Sequence, residues 1–287
     1  MTLKIAIPNK GRLSARSAEL LSKAGLDIGE DWGRKLYIDV KGRDIEVLLV
    51  RAQDIPEFVR SGAIDIGITG LDQVEESGYG LENILSLDYG HCRLSVAVPD
   101  GSGIKSTEDV KEGSRIATSF PNVTKRYFDS IGKKVKIVTI SGAAEIMPYL
   151  GVSDCIVDLV STGSTLKMNR LREAAVLFES QAAVVTTEKA LAEKKEPIME
   201  VADAIRSVID AEGRKYLMAN VPVDRMAEVE KFLPGIGGPT VLNISGIKDF
   251  VAVHVVVADS HLYDAINDLR KIGATGILTL SMDRLVE

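Results

Sequence analysis

Short apolar runs alternate with amphipathic segments from the start of the chain to about residue 190, a pattern typical of repeated strand–helix units. Leu3–Ile7 predicts the first strand, and the apolar positions of the segment after it repeat at helical spacing. The same order returns as a strand at Ile45–Val50, a helix at Asp54–Ser61 and a strand at Ile64–Ile68. The pattern therefore predicts an α/β fold with helices packed on a mostly parallel sheet.

The strand–helix pattern restarts after residue 90 and indicates a second lobe. Its predicted strands are Cys92–Val98, Arg115–Thr118, Val135–Ile140 and Cys155–Val160. Its predicted helices lie near Val123–Ile131 and Ala143–Leu150. Apolar residues between Ile198 and Ile209 then repeat at positions i, i+3, i+4 and i+7, which predicts a packed amphipathic helix.

The last 75 or so residues change character after a linker at residues 211–214. The predicted strands there are Tyr216–Val221, Thr240–Ile244, Phe250–Val257 and Thr275–Leu280, and the predicted helices are Arg225–Leu233 and Leu262–Ile272. This βαββαβ order is that of a ferredoxin-like split unit, a module that commonly serves as a sensor or interaction domain.

Composition and charge limit both the domain organisation and the classes of partner that the chain can bind. The chain has 287 residues, of which 45% are hydrophobic, so wholesale disorder is excluded and two or three domains are expected. A net charge of −6 argues against nucleic acid as the main partner. No apolar run approaches a membrane span, and Cys92 and Cys155 have no CxxC partner, so we expect a cytoplasmic protein that does not bind a membrane.

The candidate chemistry is concentrated where the predicted strand Cys155–Val160 runs into small polar residues and a helix through Leu171. The polar residues are Ser161, Thr162, Gly163, Ser164 and Thr165. Their hydroxyls and the backbone amides at the helix start suit a phosphate, although an ordinary helix cap would have the same composition. Strand alternation places Asp154 and Asp158 on one face, with Asp158 nearer the loop.

The turn Thr162–Leu166 resembles the phosphoribosyl-diphosphate loop of phosphoribosyltransferases, but the adjacent pair of acids found in salvage enzymes is missing. The whole chain resembles the long form of the ATP phosphoribosyltransferase family, whose members catalyse the first step of histidine biosynthesis. The separated strings that carry this resemblance are Ala6–Leu13, Asp65–Gly70, Ile116–Thr118 with Pro121–Asn122, Asp154–Leu166, and Tyr216–Met218.

The resemblance implies a fold and an assembly. Two catalytic lobes would resemble type II periplasmic binding proteins, with the active site in the cleft between them and a C-terminal ferredoxin-like regulatory domain that binds histidine. The implied boundaries are residues 1–87 and 180–210 for lobe I, 88–179 for lobe II, and 211–287 for the regulatory domain. The resemblance also implies a homodimer that assembles into a hexamer.

The reaction implied by the resemblance transfers the phosphoribosyl group of phosphoribosyl diphosphate to N1 of ATP, with feedback inhibition by histidine. Adenine N1 already carries a lone pair, so the enzyme needs no covalent nucleophile. Mg²⁺ is the expected cofactor because it can neutralise the leaving pyrophosphate. We expect the metal to be held mainly by substrate and water, with Asp158 assisting.

Site residues follow from the resemblance by position. Residues 161–165 would hold the 5-phosphate, with Asp154 and Asp158 toward the ribose. Lys10 and Arg51 would face the pyrophosphate and, with Asp158, form the catalytic set. The expected ATP-binding residues are Lys10, Arg12, Arg51, Thr69, Gly70 and Asp72, with Lys125 a weaker candidate. The expected histidine contacts are Asn220, where many relatives have Asp, and Thr240.

Two other functions remain open at this point. A non-catalytic small-molecule sensor could have the same two lobes and the same C-terminal module, and it would need neither the phosphate loop nor Lys10 and Arg51. A salvage phosphoribosyltransferase would use free adenine or uracil in place of ATP. For Lys10 and Arg51, a solvated surface charge is the competing interpretation, and for Asp72 it is a helix cap.

Overall fold

The computed structural model of the chain describes residues 2–29 and 35–286, which divide into two compact units. The larger unit ends at Ala202. The smaller unit contains Lys23–Gly25 and the chain from Asp203 onward. Each unit has its own sheets and its own buried apolar core.

The first half of the larger unit, here called the first lobe, begins with a strand whose residues Leu3, Ile5, Ala6 and Ile7 are almost fully buried. Its first five strands are β1 (Leu3–Pro8), β2 (Tyr37–Asp39), β3 (Ile45–Val50), β4 (Ile66–Gly70) and β5 (Glu82–Ser86). The helices between them are α1 (Ser14–Lys23), α2 (Ile55–Arg60) and α3 (Leu71–Ser77). Gly78, with φ 68°, ends α3 in the left-handed conformation typical of helix C-termini.

The second lobe is a five-stranded sheet in the order β10-β6-β9-β7-β8. Its strands are β6 (Cys92–Pro99), β7 (Arg115–Thr118), β8 (Lys136–Thr139), β9 (Cys155–Val160) and β10 (Leu171–Ser180). Its helices are α4 (Pro121–Ser130) and α5 (Ser164–Met168). Phe128 of α4 is fully buried against the apolar face of this sheet, together with Leu94 and Val157.

The chain returns to the first lobe after β10. Strand β11 (Ala182–Thr186) lies between β4 and β5, which completes a six-stranded sheet in the order β2-β3-β1-β4-β11-β5. Helix α6 (Glu188–Ala211) follows and is broken at Lys194, where φ is −135°. Pro197 accounts for the break, because proline cannot donate the helical hydrogen bond and its ring clashes with the preceding turn.

The expected mostly parallel sheet is corrected to two mixed sheets. The pairs β1–β3, β1–β4, β7–β8 and β7–β9 are parallel, and the other pairs in these two sheets are antiparallel. The chain leaves the first lobe at the end of β5 and returns to it at the start of β11. These two strand ends lie at the same edge of the first sheet, so β11 runs antiparallel to β5 and also to β4 on its other side.

Three local predictions in the second lobe differ from the structure. The expected helix at Ala143–Leu150 is a single 3-10 turn at Ala144–Ile146, preceded by Ala143 in a left-handed conformation with φ 53°. The helix expected through Leu171 ends at Met168, and Arg170 (φ 54°) turns the chain into β10. Strand β10 was not predicted from the pattern, and neither were β2 and β5 of the first lobe.

The smaller unit confirms the βαββαβ order. Its elements are β12 (Arg214–Pro222), α7 (Met226–Phe232), β13 (Thr240–Asn243), β14 (Phe250–Ala258), α8 (Leu262–Lys271) and β15 (Thr275–Ser281). The strands form an antiparallel sheet in the order β13-β14-β12-β15. Alternate residues of β12 and β14 pack with Val229 and Leu269 in one core, so both helices cover the same face of the sheet.

A close contact between β4 and α2 gives a stability prediction. A Cβ at Gly67 would lie 2.4 Å from Cγ2 of Ile55 and 3.0 Å from Cγ2 of Val59. We expect Gly67→Ala to lower the free energy of unfolding by about 1–3 kcal/mol, because α2 must move away from the sheet. Urea unfolding measures this, with Gly101→Ala as the control, since no heavy atom lies within 4 Å of a Cβ there. Equal stability of the two variants would contradict the prediction.

Candidate active site

Two basic residues lie beyond the ends of neighbouring parallel strands in the first lobe. Pro8 at the end of β1 pairs with Val50 at the end of β3, and the amide of Asn9 donates to the carbonyl of Val50 at 2.7 Å. Lys10 and Arg51 follow directly and are exposed. In α/β sheets the carboxyl ends of parallel strands are the usual ligand-binding edge, so this placement gives the edge two mobile positive charges.

The end of β4 meets the same edge, but its polar side chains are bound within the protein. Thr69 is fully buried and donates its hydroxyl to the carbonyl of Ala52 at 2.9 Å. Asp72 is 2% exposed, and its Oδ1 accepts the hydroxyl of Ser180 at 2.7 Å. Thr69 and Asp72 therefore fix the shape of the edge, and their polar groups already have partners inside the protein.

Arg12 and Gly70 depend on the position of Asp72. Nη2 of Arg12 lies 3.5 Å from Oδ1 of Asp72, which makes a long ion pair with a buried carboxylate. A Cβ at Gly70 would lie 2.1 Å from that same oxygen. Glycine at position 70 therefore leaves the space that the Asp72 carboxylate occupies.

The polar loop of the second lobe joins β9 to α5. Ser161, Thr162, Ser164 and Thr165 are exposed, and the hydroxyls of Thr162 and Ser164 are hydrogen-bonded to each other at 3.0 Å. Gly163 has φ 78°, a left-handed conformation that costs roughly 1 kcal/mol or more for residues with a Cβ. The loop therefore presents hydroxyl groups on a turn that the glycine makes possible.

The two predicted acids of β9 lie in different surroundings. Asp158 is half-buried, and its Oδ1 accepts the amide of Leu159 at 2.8 Å. Burial raises the pKa of the Asp158 carboxyl above its ordinary value, and the nearby charge of Glu145 raises it further. Asp158 lies opposite Ser95 of β6, so both residues are on the same face of the sheet.

Asp154 lies at the other end of β9, roughly 20 Å along the strand from the polar loop. Its carboxylate accepts the backbone amide of Arg115 at 2.7 Å and Nη2 of the same residue at 3.0 Å. The hydrogen bond from the Arg115 side chain lowers the pKa of the Asp154 carboxyl. Asp158 is therefore near the end of β9 from which the polar loop continues, whereas Asp154 lies at the opposite end of the strand.

A cavity of about 420 Å³ connects the two lobes. Leu71 at the edge of the first sheet and Ser161 of the polar loop both line it. Its other lining residues are His91, Cys92, Arg93, Glu179, Ser180 and Gln181. Of the predicted site residues, Ser161 lines this cavity, and Leu71 is the chain neighbour of the predicted residues Gly70 and Asp72. Lys10, Arg51 and Asp158 are not among its lining residues. Lys125 on α4 does not line this cavity, and its ammonium pairs with Asp129 at 2.7 Å.

Sequence analysis missed the contributions of Arg93, Glu179 and Ser180 to this cavity. Arg93 is on β6, and the other two residues close β10, which was not predicted as a strand. The available signal was the pair of polar residues Arg93 and Ser95 at alternate positions of an otherwise apolar strand, which indicates a face that has polar partners. In the structure Ser95 is fully buried, and its hydroxyl donates to Glu173.

The predicted histidine contacts lie in the smaller unit. Asn220 of β12 pairs with Ala252 of β14, and Thr240 of β13 pairs with His254, two positions further along β14. The pairing places Asn220 and Thr240 on one sheet face, opposite the face that α7 and α8 cover. Nδ2 of Asn220 lies 3.0 Å from the position that a Cβ of Gly276 would take.

Neither metal clusters nor membrane spans occur in the described part of the chain. In residues 2–29 and 35–286, no group of three or more His, Cys, Asp or Glu side chains is arranged to hold a metal ion. Within those same ranges, no helix combines the length and apolarity needed to cross a membrane.

Burial raises the pKa of the Cys155 thiol to about 12, which leaves it unreactive at neutral pH.

Comparison with known proteins now identifies the family. A family model described as ATP phosphoribosyltransferase matches residues 51–207. The chain belongs to the ATP phosphoribosyltransferase family. A second model, described as the HisG C-terminal domain, matches residues 211–284, so the chain is of the long form. Members are pentosyl transferases that act at the first step of histidine biosynthesis.

Relatives in other organisms match the chain over nearly its full length. The ATP phosphoribosyltransferase of Natronomonas pharaonis is 45% identical over 99% of this chain and 100% of its own. That of Gemmatimonas aurantiaca is 44% identical over 99% of each chain. The resemblance drawn from the sequence strings is therefore confirmed.

Solved structures confirm the two-part fold. A chain of the ATP phosphoribosyl transferase (HisG:HisZ) complex from Thermotoga maritima matches with a TM-score of 0.66 and 33% identity, over 74% of this chain and 100% of its own. A Listeria monocytogenes protein described as an L-cystine ABC transporter matches with a TM-score of 0.50 and 16% identity, over 73% and 91%. The second likeness shows the periplasmic-binding fold alone, as the family resemblance implied.

The raised pKa of Asp158 gives a prediction on stability and pH. Because the folded state binds this proton more tightly than the unfolded state, stability falls as the pH rises above the ordinary value of 3.8. Asp158→Asn has no such carboxyl and avoids this loss. We therefore expect the difference in melting temperature, variant minus wild type, to be more positive at pH 7 than at pH 4.

Asp154→Asn is the matched control with the opposite sign. The pKa of Asp154 is lowered, so its carboxylate stabilises the fold above pH 3.8, and this contribution disappears as the pH falls through the folded-state pKa. Thermal unfolding of both variants at several pH values measures the two effects. A pH-independent difference for Asp158→Asn would contradict the assigned environment.

Proposed function

We propose that this enzyme transfers the 5-phosphoribosyl group of phosphoribosyl diphosphate to N1 of ATP, giving N1-(5-phosphoribosyl)-ATP and pyrophosphate. The observation that carries the proposal is the cavity between the lobes, which is lined by Ser161 of the polar loop and by Leu71, the residue that follows β4 of the first sheet. Family membership supports the same reaction class. One lobe then holds the sugar phosphate and the other supplies positive charge to the polyphosphates.

The 5-phosphate is assigned to the loop of residues 161–165. Its exposed hydroxyls can donate to phosphate oxygens, and the hydrogen bond between Thr162 and Ser164 already orders two of them. Gly163 allows the left-handed turn, with φ 78°, that brings these hydroxyls together. Asp158, three positions before the loop, is assigned to the ribose hydroxyls, for which an ionised carboxylate is a good acceptor.

Lys10 and Arg51 are assigned to the pyrophosphate and to the phosphates of ATP. Both lie at the same sheet edge, and flexible cationic side chains can follow the leaving group as charge develops on it. Thr69, Gly70, Asp72 and Arg12 border this edge and complete the ATP-binding set. Asp154 is not kept in the proposed site, because it lies at the far end of β9.

The chemistry requires alignment more than functional groups. The lone pair of adenine N1 forms the new bond to C1 of the ribose as the bond from C1 to the pyrophosphate oxygen breaks. Holding the two reactants in line converts a bimolecular step into an effectively unimolecular one, which is worth several kcal/mol. Family membership argues against the sensor and the base-salvage alternatives.

Mg²⁺ fits this site as a substrate-held ion. Asp158 is a half-buried carboxylate near the loop, and carboxylate oxygens suit a hard cation such as Mg²⁺. Asp158 could contribute one oxygen, with substrate oxygens and water as the remaining ligands. When bound, the ion neutralises charge on the leaving pyrophosphate.

Regulation is assigned to the smaller unit. Asn220 and Thr240 lie on the open face of its sheet, and an amide and a hydroxyl there can bind the polar groups of histidine. We propose that histidine binds at this face and inhibits the enzyme. We also propose that histidine favours assembly of dimers into a hexamer. Both cysteines are buried free thiols, in keeping with a cytoplasmic enzyme.

The direct test mixes the protein with ATP, phosphoribosyl diphosphate and Mg²⁺, adds pyrophosphatase to draw the reaction forward, and follows the absorbance of phosphoribosyl-ATP. We expect product, and we expect histidine to suppress it. Product with free adenine but none with ATP would support a salvage enzyme instead. No turnover with any acceptor would support a sensor.

A variant pair tests the charge at the sheet edge. We expect Lys10→Ala to lower kcat/KM by about 10- to 100-fold, the usual effect of losing one charge-assisted hydrogen bond in the transition state. Lys41→Ala is the control, since Lys41 is also exposed but lies in the turn before β3, at the opposite end of that strand. Equal activity of the two variants would remove Lys10 from the proposed site.

A further inference from the structure

Arg93 of β6 makes a two-pronged ion pair with Glu173 of β10. Its Nε lies 2.6 Å from Oε2 of Glu173, and its Nη2 lies 2.5 Å from Oε1. Both side chains are about one-third exposed or less, so the pair is partly shielded from solvent. The hydrogen bond to Arg93 lowers the pKa of the Glu173 carboxyl, so the pair stays ionised at neutral pH.

The Glu173 carboxylate is held from a second side. The hydroxyl of Ser95, which is fully buried, donates to Oε2 of Glu173 at 2.8 Å. The pairing of β10 with β6 is irregular between Glu173 and Ala175, and such bulges re-aim side chains next to functional sites. Three hydrogen bonds therefore fix the carboxylate, and through it they fix the plane of the Arg93 guanidinium.

The third nitrogen of Arg93 reaches the polar loop. Nη1 donates to the backbone carbonyl of Ser161 at 3.1 Å. A Cβ at Gly163 would lie 3.7 Å from Oε1 of Glu173 and 4.0 Å from Nη2 of Arg93, so the ion pair lies directly beneath the turn. Arg93 and Ser161 also line the same cavity.

We propose that Arg93 and Glu173 are positioning residues, which hold the Ser161 carbonyl and thereby keep residues 162–165 in the turn that presents their hydroxyls and amides to the 5-phosphate. This inference rests on the proposed function, because it assumes that the loop binds the 5-phosphate. It adds that the affinity of the loop depends on Arg93 and Glu173, which lie outside it. This role requires arginine. Its planar guanidinium donates from two nitrogens to the Glu173 carboxylate and from the third to the Ser161 carbonyl, and a lysine ammonium cannot make these three hydrogen bonds in one plane.

Kinetics of Arg93→Lys and Glu173→Gln test the role. We expect each variant to raise KM for phosphoribosyl diphosphate about 10- to 100-fold, the effect of one charge-assisted hydrogen bond, with KM for ATP changed less than about twofold. A merely structural pair would change both constants together or neither. An unchanged KM for phosphoribosyl diphosphate would overturn the proposal.

Arg60→Lys is the matched control. Arg60 makes the same two-pronged pair with Glu57 on α2, with nitrogen–oxygen distances of 3.2 and 2.8 Å, in the first lobe. We expect its kinetic constants to equal those of the wild type. An equal rise of KM in Arg60→Lys and Arg93→Lys would show a general effect of losing an ion pair and would overturn the specific role.

Hydrogen exchange without any substrate separates this inference from the proposed function. We expect the amides of residues 162–165 to exchange faster in Arg93→Lys than in the wild type, with the amides of β9 unchanged. Faster exchange in a protein that shows no turnover with ATP would leave the positioning role in place and remove the proposed function. Unchanged loop exchange would overturn the positioning role whatever the substrate is.

Discussion

The two connections between the lobes are hydrogen-bonded to each other, and the geometry of the candidate site depends on this pairing. The amide of Leu87 donates to the carbonyl of Ala182 at 2.8 Å, and the amide of Ala182 donates to the carbonyl of Tyr89 at 3.0 Å. The amide of Leu71 also donates to the carbonyl of Gln181, at 2.9 Å. The edge of the first sheet and the chain leaving the second are thereby joined next to the cavity.

A separate contact joins the lobes through their helices. The carboxylate of Glu76 on α3 accepts the amides of Asn122 and Val123 at the start of α4, at 2.9 and 3.0 Å. Carboxylates at helix starts are favourable because the first amides have no partner inside the helix. The relative position of the lobes is thus set by backbone pairing on one side and by a charged helix cap on the other, and the cavity depends on both.

Much of the architecture could be predicted from the sequence, because strand ends and apolar spacing are local signals. The placement of Lys10 and Arg51 at one edge needed only the rule that ligands bind at the carboxyl ends of parallel strands. Asp154 shows the limit of such reasoning, since alternation along a strand gives the face of a residue but not its distance from a loop. Its carboxylate instead pairs with Arg115, a contact between strands that no local pattern indicates.

The partners of the polar loop were hidden for a related reason. Strand β10 contains Leu, Glu and Ala, which favour helices, and only its pairing with β6 makes it a strand. Without that pairing, Glu173 has no visible relation to Arg93, although the two lie 80 residues apart in sequence and within hydrogen-bonding distance in space. Contacts of this kind come from tertiary structure, and they position the groups that the sequence motif supplies.

One cleft that takes groups from both lobes should respond as a unit to its ligand, and hydrogen exchange of the wild-type protein with and without phosphoribosyl diphosphate and Mg²⁺ measures this. We expect slower exchange on binding in two separated segments, residues 161–165 of the second lobe and residues 9–12 of the first. Protection confined to one lobe, or located only in the smaller unit, would contradict a shared cleft.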